Sequence, residues 1–220
     1  MAQRETYVPA MGLYSLARLY DPAVRLFVRE RALRTGLIAK ARIAPAHRVL
    51  DLGCGTATLT IMIKRAFPHA EVFGLDGDPE ILGVARRKAA AARLDIRLDE
   101  AQAAGMPYAE STFDRVVSSF VFHHLSGDTQ RRALQEALRV LKPGGELHVA
   151  DFAVMHGGPA NLASHVVGHF FGGRRRDVIP LLTMMSEVGF ERVQDRGRFP
   201  TILGNVGFYS GAKPGPPNCA

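Results

Sequence analysis

Residues 49–59 read Val-Leu-Asp-Leu-Gly-Cys-Gly-Thr-Ala-Thr-Leu, and this stretch decides the fold. A short apolar run ends in an acid, passes through Gly-x-Gly, and leads into apolar residues at helical spacing: Leu59, Met62, Ile63, Ala66 and Phe67. That order predicts a β-strand, a tight turn and a helix. Because glycines let the backbone approach a ligand and a helix start offers unpaired N–H groups, we expect a nucleotide-like ligand here.

The kind of nucleotide depends on the residues around the turn. A dinucleotide-binding loop would carry a third glycine at Thr58, and this chain does not. Asp51 closes the first strand, where a carboxylate is a poor neighbour for a pyrophosphate. It suits a ligand that carries positive charge, such as the ammonium end of S-adenosylmethionine.

The segment Asp-Leu-Gly-Cys-Gly-Thr resembles the first motif of class I S-adenosylmethionine-dependent methyltransferases, in the branch that includes the ubiquinone and menaquinone biosynthesis methyltransferases. The resemblance implies that S-adenosylmethionine is the cofactor and S-adenosylhomocysteine the product. The family usually has a third glycine where this chain has Ala57. Since alanine is small and favours helix, we expect a slightly less roomy loop and no lost function. The expected cofactor contacts in this segment are Asp51, Gly53, Cys54, Gly55 and Thr56.

Composition predicts an ordinary globular protein. The 220 residues are 47% hydrophobic and 22% charged, which suits a single domain with a substantial core. We find no run of about 18 apolar residues and no signal sequence, so we expect a cytoplasmic protein without stable membrane insertion, as a monomer or homodimer. The two cysteines cannot build a disulfide framework.

The net charge of +7 allows two interpretations. A basic surface can attract nucleic acid, anionic lipid or acidic metabolites. The arginines are, however, spread over predicted helix faces, where solvent exposure is the commoner explanation, and only Arg174–Arg176 form a cluster. We therefore expect a small-molecule acceptor and no nucleic-acid partner.

The N-terminal residues 1–42 are predicted to form a helical cap. Asp21 followed by Pro22 is a good helix start, and the apolar pattern continues to about Arg42. In the resembled family such a segment folds over the cofactor and helps to form the substrate pocket. Tyr14 and Tyr20 are therefore candidate substrate-binding residues, with plain packing against the sheet as the alternative.

A second strand is predicted from Glu71 to Leu75 and ends in Asp76. An acid about 20 residues past a glycine loop is placed to accept hydrogen bonds from two ribose hydroxyls. Dehydrogenases share this feature, so Asp76 and the following Gly77 support an adenosine-type ligand without choosing between the two classes. Asp78 and Pro79 read as the start of the next helix.

The third strand, Ile96–Leu98, leads towards the expected adenine site. Relatives place an acid and an alanine a few residues before a Leu-Pro-Phe-like tripeptide, which here is Met-Pro-Tyr. Counting back gives Gln102 and Ala103, and a glutamine carbonyl can accept from the adenine amino group. If the loop is longer, Asp99 or Glu100 takes this role.

The fourth strand, Asp114–Ser119, ends at the expected ligand crevice, so Ser119 is a candidate cofactor contact. The closing His123-His124-Leu125 again resembles the methyltransferase branch. No Asn/Asp-Pro-Pro-aromatic run follows, which argues against methylation of DNA bases or glutamine amides. Serines stand where metal-dependent catechol methyltransferases need carboxylates, so we expect no metal.

The remaining elements follow by pattern. We predict a helix over Thr129–Leu141 that stops at Pro143-Gly144-Gly145, a fifth strand over Glu146–Asp151, a helix over residues 177–188, and strands over Phe190–Arg196 and Val206–Gly211. Residues 213–220 are expected to be a disordered tail.

Residues 152–177 interrupt the alternation of strands and helices and are expected to form a substrate lid. His165 and His169 share a helix face at a spacing that zinc ligands use, but no third ligand is evident. We favour a pocket role for His165, His169 and Arg174, whose guanidinium could bind a phosphate or carboxylate of the acceptor.

Alternating strands and helices predict an α/β fold with a parallel sheet and right-handed crossovers. The resemblance implies one Rossmann-like domain over residues 1–212, with seven strands in the order 3-2-1-4-5-7-6, the last antiparallel, and helices on both faces.

Methyl transfer from a sulfonium is an in-line displacement that depends on positioning in a water-poor pocket. A base is needed only when the acceptor must lose a proton, and imidazoles suit that task near neutral pH. The candidates are His123 and His124, then Asp151, then His165 and His169.

Phe122 and its aromatic neighbours predict an apolar or aromatic acceptor: a quinone precursor, a lipid or a secondary metabolite. C-, N- and O-methylation stay open. The alternatives are an NAD(P)-dependent Rossmann oxidoreductase, a methyltransferase that acts on RNA or protein, or a nucleic-acid-binding module.

Overall fold

The computed structural model describes residues 30–152, 181–201 and 204–215. That part of the chain forms helices α1 (Glu30–Ala41), α2 (Thr58–Ala66), α3 (Pro79–Ala91), α4 (Gly127–Val140) and α5 (Leu181–Val188), a short 3-10 helix (Phe122–His124), and strands β1 (Arg48–Leu52), β2 (Glu71–Asp76), β3 (Arg97–Glu100), β4 (Phe113–Ser119), β5 (Leu141–Phe152), β6 (Glu191–Thr201) and β7 (Gly204–Ala212).

The strands form a single sheet in the order β3-β2-β1-β4-β5-β7-β6. β1 to β5 pair in parallel, whereas β7 runs antiparallel to both β5 and β6. The predicted α/β fold, its strand order and its antiparallel strand are confirmed. The order reverses between β1 and β4, and in open α/β sheets ligands bind at the carboxyl ends of such strands.

Helices cover both faces of the sheet. On one face, residues of α4 and α5 such as Leu134 and Met185 pack against Leu50 and Leu147. On the other face, Leu33 and Leu37 of α1 pack with residues of α2 and with Val49. β1 is therefore buried on both sides, which explains its continuous apolar run.

Capping side chains fix the starts of two helices. The Asp78 carboxylate accepts from the N–H groups of Glu80 and Ile81 at 2.9 and 3.2 Å and caps α3, as its sequence predicts. The Ser126 hydroxyl accepts from the Thr129 N–H at 3.3 Å and caps α4. That helix begins at Gly127, two residues before its predicted start at Thr129.

Several predicted boundaries were wrong. β3 begins at Arg97 rather than Ile96 and continues to Glu100, because it pairs with β2 as far as Asp76. α4 ends at Val140, and Pro143-Gly144-Gly145 lies within the span of β5 rather than in a free turn. There the backbone is hydrogen-bonded to Lys213. The N–H of Gly144 donates to the Lys213 carbonyl at 3.0 Å, and the N–H of Lys213 donates to the Gly145 carbonyl at 2.9 Å.

The last helix and the C-terminal strands differ in detail. α5 buries Met184 and Met185, whereas Leu181 and Val188 are only partly buried. The predicted strand pair at the sheet edge is confirmed, although both strands are longer than their apolar patterns indicate.

Some predictions lie outside the described residues. These are the candidate pocket residues Tyr14, Tyr20, His165, His169 and Arg174, most of the N-terminal cap and nearly all of the lid. The segment Glu30–Ala41 confirms the end of the predicted N-terminal helix. The functions given to the cap and the lid, and the disorder expected for the tail, stay predictions.

Candidate cofactor and active site

The glycine turn after β1 is bound to the end of β2. The N–H groups of Gly53 and Cys54 both donate to the Leu75 carbonyl, at 2.8 and 2.9 Å. Gly53 has a φ of 69°, and a Cβ at this position would overlap the Val121 side chain. Gly55 has a φ of 52°, but a Cβ there would meet no atom within 4 Å. Gly53 is thus required by packing, and Gly55 faces open space at the crevice.

Ala57 departs from the expectation that alanine simply favours helix at this point. It precedes α2 in the left-handed conformation, with φ 59° and ψ 28°, and it is fully buried. A residue with a Cβ costs about 1–2 kcal/mol in this conformation, and glycine avoids that cost. The left-handed backbone at this position therefore explains why the resembled family usually has a third glycine here. The sequence analysis had related that glycine only to the space inside the loop.

Asp51 is fully buried beneath the glycine turn. Its Oδ2 accepts from the Thr60 hydroxyl at 2.6 Å, while its buried Oδ1 has no hydrogen-bond partner among the described residues. Burial raises the pKa of Asp51 to about 6, against the opposing effects of Thr60 and Arg34. An unsatisfied buried carboxylate oxygen next to the turn fits the predicted contact with a cationic group.

Arg34 of α1 is a candidate site residue that the sequence reasoning missed. It pairs with Glu30 one helical turn away, and both side chains are largely buried, at 15% and 4% exposure. Its charge lowers the pKa of Asp51, so the guanidinium lies on the Asp51 side of α1. The signal was present in the sequence, since Glu30 and Arg34 share a helix face with the buried Leu33 and Leu37.

Asp76 lies opposite the glycine turn at the end of β2. Its Oδ2 accepts from the Gly55 N–H at 2.8 Å, and its Oδ1 accepts from the Asp78 N–H at 3.1 Å. Burial raises the pKa of Asp76, against the lowering effect of these N–H groups. Each carboxylate oxygen can accept more than one hydrogen bond, so both can still take a ribose hydroxyl.

The residues predicted at the adenine site differ in position. Gln102 lies directly over Gly77, because a Cβ on that glycine would collide with the Gln102 amide. Ala103 is partly buried against the core. Asp99 instead accepts from Arg97 and from the Tyr108 hydroxyl, at 2.9 and 3.0 Å. Gln102 is thus beside Asp76 and Gly77, and Asp99 is engaged elsewhere.

Two further residues of the glycine turn contribute in ways that the sequence did not predict. The Cys54 side chain is buried, packs against Gly74, and has its pKa raised by burial. Thr56 accepts through Oγ1 from Lys88 Nζ of α3 at 3.0 Å, and Thr58 accepts from the same nitrogen at 2.8 Å. Lys88, which sequence reasoning also missed, ties the turn to α3.

At the carboxyl ends of β4 and β5 the structure brings His123 and Asp151 together. His123 Nδ1 lies 2.7 Å from Asp151 Oδ1. The Asp151 carboxylate also accepts from the N–H groups of Phe122 and Phe152, at 2.8 and 2.7 Å. Burial would raise the pKa of Asp151, but His123 and these N–H groups outweigh it and lower the pKa.

His124 stacks on His123, with ring centroids 3.9 Å apart. The pKa of His124 is lowered mainly by desolvation of the ring and to a smaller extent by the neighbouring His123. The residue nevertheless keeps part of its surface exposed. A lowered pKa favours the neutral imidazole. Of the two histidines, His123 has the direct hydrogen bond to Asp151.

Phe122 does not have the expected orientation. Its side chain is 2% exposed and belongs to the core, because the 3-10 turn points it away from the crevice. Phe120 and Phe152, both partly buried, flank His123 instead, with ring centroids 6.4 and 5.1 Å from it. Ser119 is buried at the end of β4.

Within residues 30–152, 181–201 and 204–215, no group of three or more His, Cys, Asp or Glu side chains could hold a metal ion. Within the same ranges, every helix is too short or too polar to cross a membrane.

The chain is similar to known methyltransferases in sequence and in fold. A family model, the methyltransferase domain, matches residues 49–145. Demethylmenaquinone methyltransferase of Thermus thermophilus is 41% identical over 137 residues, 62% of this chain and 59% of the relative. Demethylmenaquinone methyltransferase of Deinococcus radiodurans is 37% identical over 140 residues, 63% of this chain and 57% of the relative. This chain thus spans less than two thirds of the length of these relatives.

The phosphoethanolamine N-methyltransferase 2 of Haemonchus contortus, solved with S-adenosylhomocysteine, has the same fold. Its TM-score is 0.69 at 16% identity, over 82% of this chain and 52% of that one. Residues 49–145 thus match a methyltransferase domain, and the sheet has the Rossmann-like fold of class I S-adenosylmethionine-dependent methyltransferases. Within that class, the chain is similar to ubiquinone and menaquinone biosynthesis methyltransferases, three of which match 62–63% of it at 36–41% identity. The oxidoreductase alternative and the alternative of RNA or protein methylation are not favoured.

Proposed function

We propose that this protein transfers a methyl group from S-adenosylmethionine to a ring carbon of a hydroxylated aromatic acceptor of the quinol type. The observation that carries the proposal is the hydrogen bond between His123 and Asp151 beside two phenylalanines at the crevice. A quinol acceptor is consistent with two of the relatives, which are named demethylmenaquinone methyltransferases.

The described residues fit the cofactor from one end to the other. The unsatisfied Asp51 oxygen and the nearby Arg34 suit the ammonium and carboxylate of a methionine moiety. Asp76 suits the two ribose hydroxyls, and Gln102 with Ala103 suits the adenine edge. When bound, S-adenosylmethionine supplies an electrophilic methyl group on a sulfonium.

His123 is the base in this proposal. An ionised Asp151 carboxylate can only accept a hydrogen bond, so His123 Nδ1 carries the hydrogen, and in the neutral form of the imidazole the lone pair is on Nε2. That nitrogen takes the proton of an acceptor hydroxyl, which raises the electron density of the aromatic ring. Bound S-adenosylmethionine would supply the methyl group to the ring carbon, with the displaced sulfur leaving as S-adenosylhomocysteine. That ring carbon would then lose its hydrogen as a proton, which restores the aromatic ring. Asp151 holds the orientation of the imidazole and stabilises its protonated form.

Phe120 and Phe152 give the proposed pocket an apolar wall. Both are partly buried, and their rings lie 5.3 Å apart next to His123. Aromatic side chains favour edge or offset packing with a planar ring. Such a wall also excludes water, which strengthens the interaction between His123 and a hydroxyl. The proposal includes a cytoplasmic location.

The test is a transfer assay with methyl-labelled S-adenosylmethionine. The acceptors are a demethylated naphthoquinol, its dimethyl ether, a catechol and a primary amine. We expect label on a ring carbon of the quinol and none on the ether, which has no hydroxyl proton to lose. Label on oxygen or nitrogen, or equal reaction of the ether, would overturn the assignment of C-methylation with His123 as base.

A further inference from the structure

A cavity lies at the opposite edge of the sheet from the proposed active site. Its volume is about 360 Å³, at the lower end of the range for small-molecule sites. Its floor is formed by Ser210 and Ala212 of β7, and its rim carries Arg42, Arg192 and Arg196. Glu146, at its edge, precedes Asp151 by five positions on β5, so the two sites are about 17 Å apart.

The arginines of this cavity are not equally paired. Arg42 donates to Glu146 at 2.7 Å, and Glu146 is also near Arg115 at 3.8 Å, so that carboxylate is already neutralised. Within the described residues, Arg196 donates only from Nε, to the Ser210 hydroxyl at 2.9 Å, and Arg192 has no hydrogen-bond or ion-pair partner. The two guanidinium groups of β6 therefore contribute positive charge that no lining carboxylate balances.

The backbone of β6 is distorted where the strand borders the cavity. Arg192 has a φ of 49°, in the left-handed region that residues with a Cβ rarely adopt. The irregular pairing lies between Glu191 and Gln194, so Arg192 is at a bulge. A bulge redirects a side chain, and strain of this kind persists where the surrounding structure holds it. Here it leaves an unpaired arginine on the rim of the cavity.

We propose that this cavity binds a phosphate-bearing anion through Arg192 and Arg196. A guanidinium presents a planar set of donors that matches phosphate oxygens in a bidentate geometry. The Ser210 hydroxyl, which accepts from Arg196, can donate its own hydrogen to the anion. The buried His148 behind the wall bonds to Glu146 at 3.0 Å, so it supports the wall. The volume leaves room for more than one phosphate group.

The test is calorimetric titration of the full chain with inorganic phosphate and with pyrophosphate, at low salt. We expect one saturable site that prefers pyrophosphate. Arg192→Gln and Arg196→Gln should each weaken binding by about tenfold or more, because each removes a charge-assisted hydrogen bond. Arg65→Gln is the matched control, since Arg65 is an exposed arginine on α2.

These titrations distinguish two sources of the anion, free phosphate and a diphosphate-bearing compound. Phosphate and pyrophosphate that bind equally well identify free phosphate as the ligand, and a clear preference for pyrophosphate identifies a diphosphate-bearing compound. The absence of a saturable site, or an equal loss in Arg65→Gln, would overturn the proposal. Binding of S-adenosylhomocysteine should be the same in all three variants.

Discussion

The imidazole of His123 and the carboxylate of Asp151 meet across two neighbouring parallel strands, with Nδ1 2.7 Å from Oδ1. β4 and β5 pair so that Ser119 lies opposite Ala150, and the residues that follow each of them converge at the same edge of the sheet. Asp151 is buried and has a lowered pKa, whereas the His123 side chain is 23% exposed. A buried, ionised carboxylate thus orients an imidazole that the crevice can reach.

Asp151→Asn tests this relationship. The amide can donate its NH₂ to His123 Nδ1 and thereby favour the wrong tautomer, so kcat should fall by about 100-fold or more. The Kd of S-adenosylhomocysteine should stay within about twofold, because catalysis and cofactor binding use different residues. Steady-state kinetics and calorimetry measure the two effects. The control is His124→Gln, for which we expect a much smaller loss of kcat; equal losses would contradict the special position of His123.

Asp51→Asn should stabilise the protein without cofactor at pH 7. The folded state raises the pKa of Asp51 from 3.8 to about 6, so ionisation of this buried group opposes folding. That cost is absent below pH 4, grows as the pH rises towards 6, and is constant above it. The variant should therefore gain about 3 kcal/mol over the wild type at pH 7 and much less at pH 4.

Urea denaturation of both proteins across this pH range measures the difference. The same substitution should weaken S-adenosylhomocysteine binding, because the negative charge next to the proposed ammonium position is lost. A stability difference that does not change between pH 4 and 7 would show that Asp51 is ionised equally in the folded and unfolded chains.

Arg34→Met should weaken binding of S-adenosylhomocysteine by about tenfold or more, because one charge-assisted contact to the carboxylate of the ligand is lost. 5′-Methylthioadenosine, which lacks the amino acid end, is the control ligand and should bind both proteins equally. A loss that is the same for both ligands would instead assign Arg34 to support of the fold through Glu30.

Gly53→Ala should destabilise the protein strongly, by about 3 kcal/mol, since it adds left-handed strain and an overlap with Val121. Adding Val121→Ala should recover part of that loss and leave the strain. Thermal and urea unfolding of the two single variants and the double variant form a double-mutant cycle. Additive losses would show that Gly53 and Val121 do not meet.

Gly55→Ala provides the comparison for Gly53. Its added Cβ meets no atom, so the loss of stability should be limited to about 1–2 kcal/mol of backbone strain. Cofactor binding should suffer more than stability, because the methyl group enters the space at the crevice. Calorimetry at a temperature where the variant is folded separates the two effects.

The sequence predicted features that depend on local order. The glycine turn directly follows β1, Asp76 ends β2, and the Asp78 cap comes two residues later. The alternation of strands and helices then placed them at one edge of the sheet. Strand order followed from the family resemblance. Side-chain direction was less predictable: Phe122 points into the core because a 3-10 turn, rather than a continued strand, follows β4.

Three features needed the folded chain. The left-handed conformation of Ala57 is set by the turn around it, and nothing in its own identity indicates it. Arg34 approaches Asp51 only because α1 packs across the sheet. The arginine cavity combines Arg42, which directly follows α1, with β6 and β7, which begin about 150 residues later in the chain. Periodicity within one segment does not show such contacts.

The position of the cofactor is tested most directly by titrating S-adenosylhomocysteine into the wild type, Asp76→Ala and the matched control Asp95→Ala, whose position is exposed. The wild type and Asp95→Ala should bind one equivalent with equal affinity, while Asp76→Ala should lose affinity by about 100-fold or more, since both proposed ribose contacts are removed. Circular dichroism should show that all three are folded. Binding by Asp76→Ala at the affinity of the wild type would contradict the account.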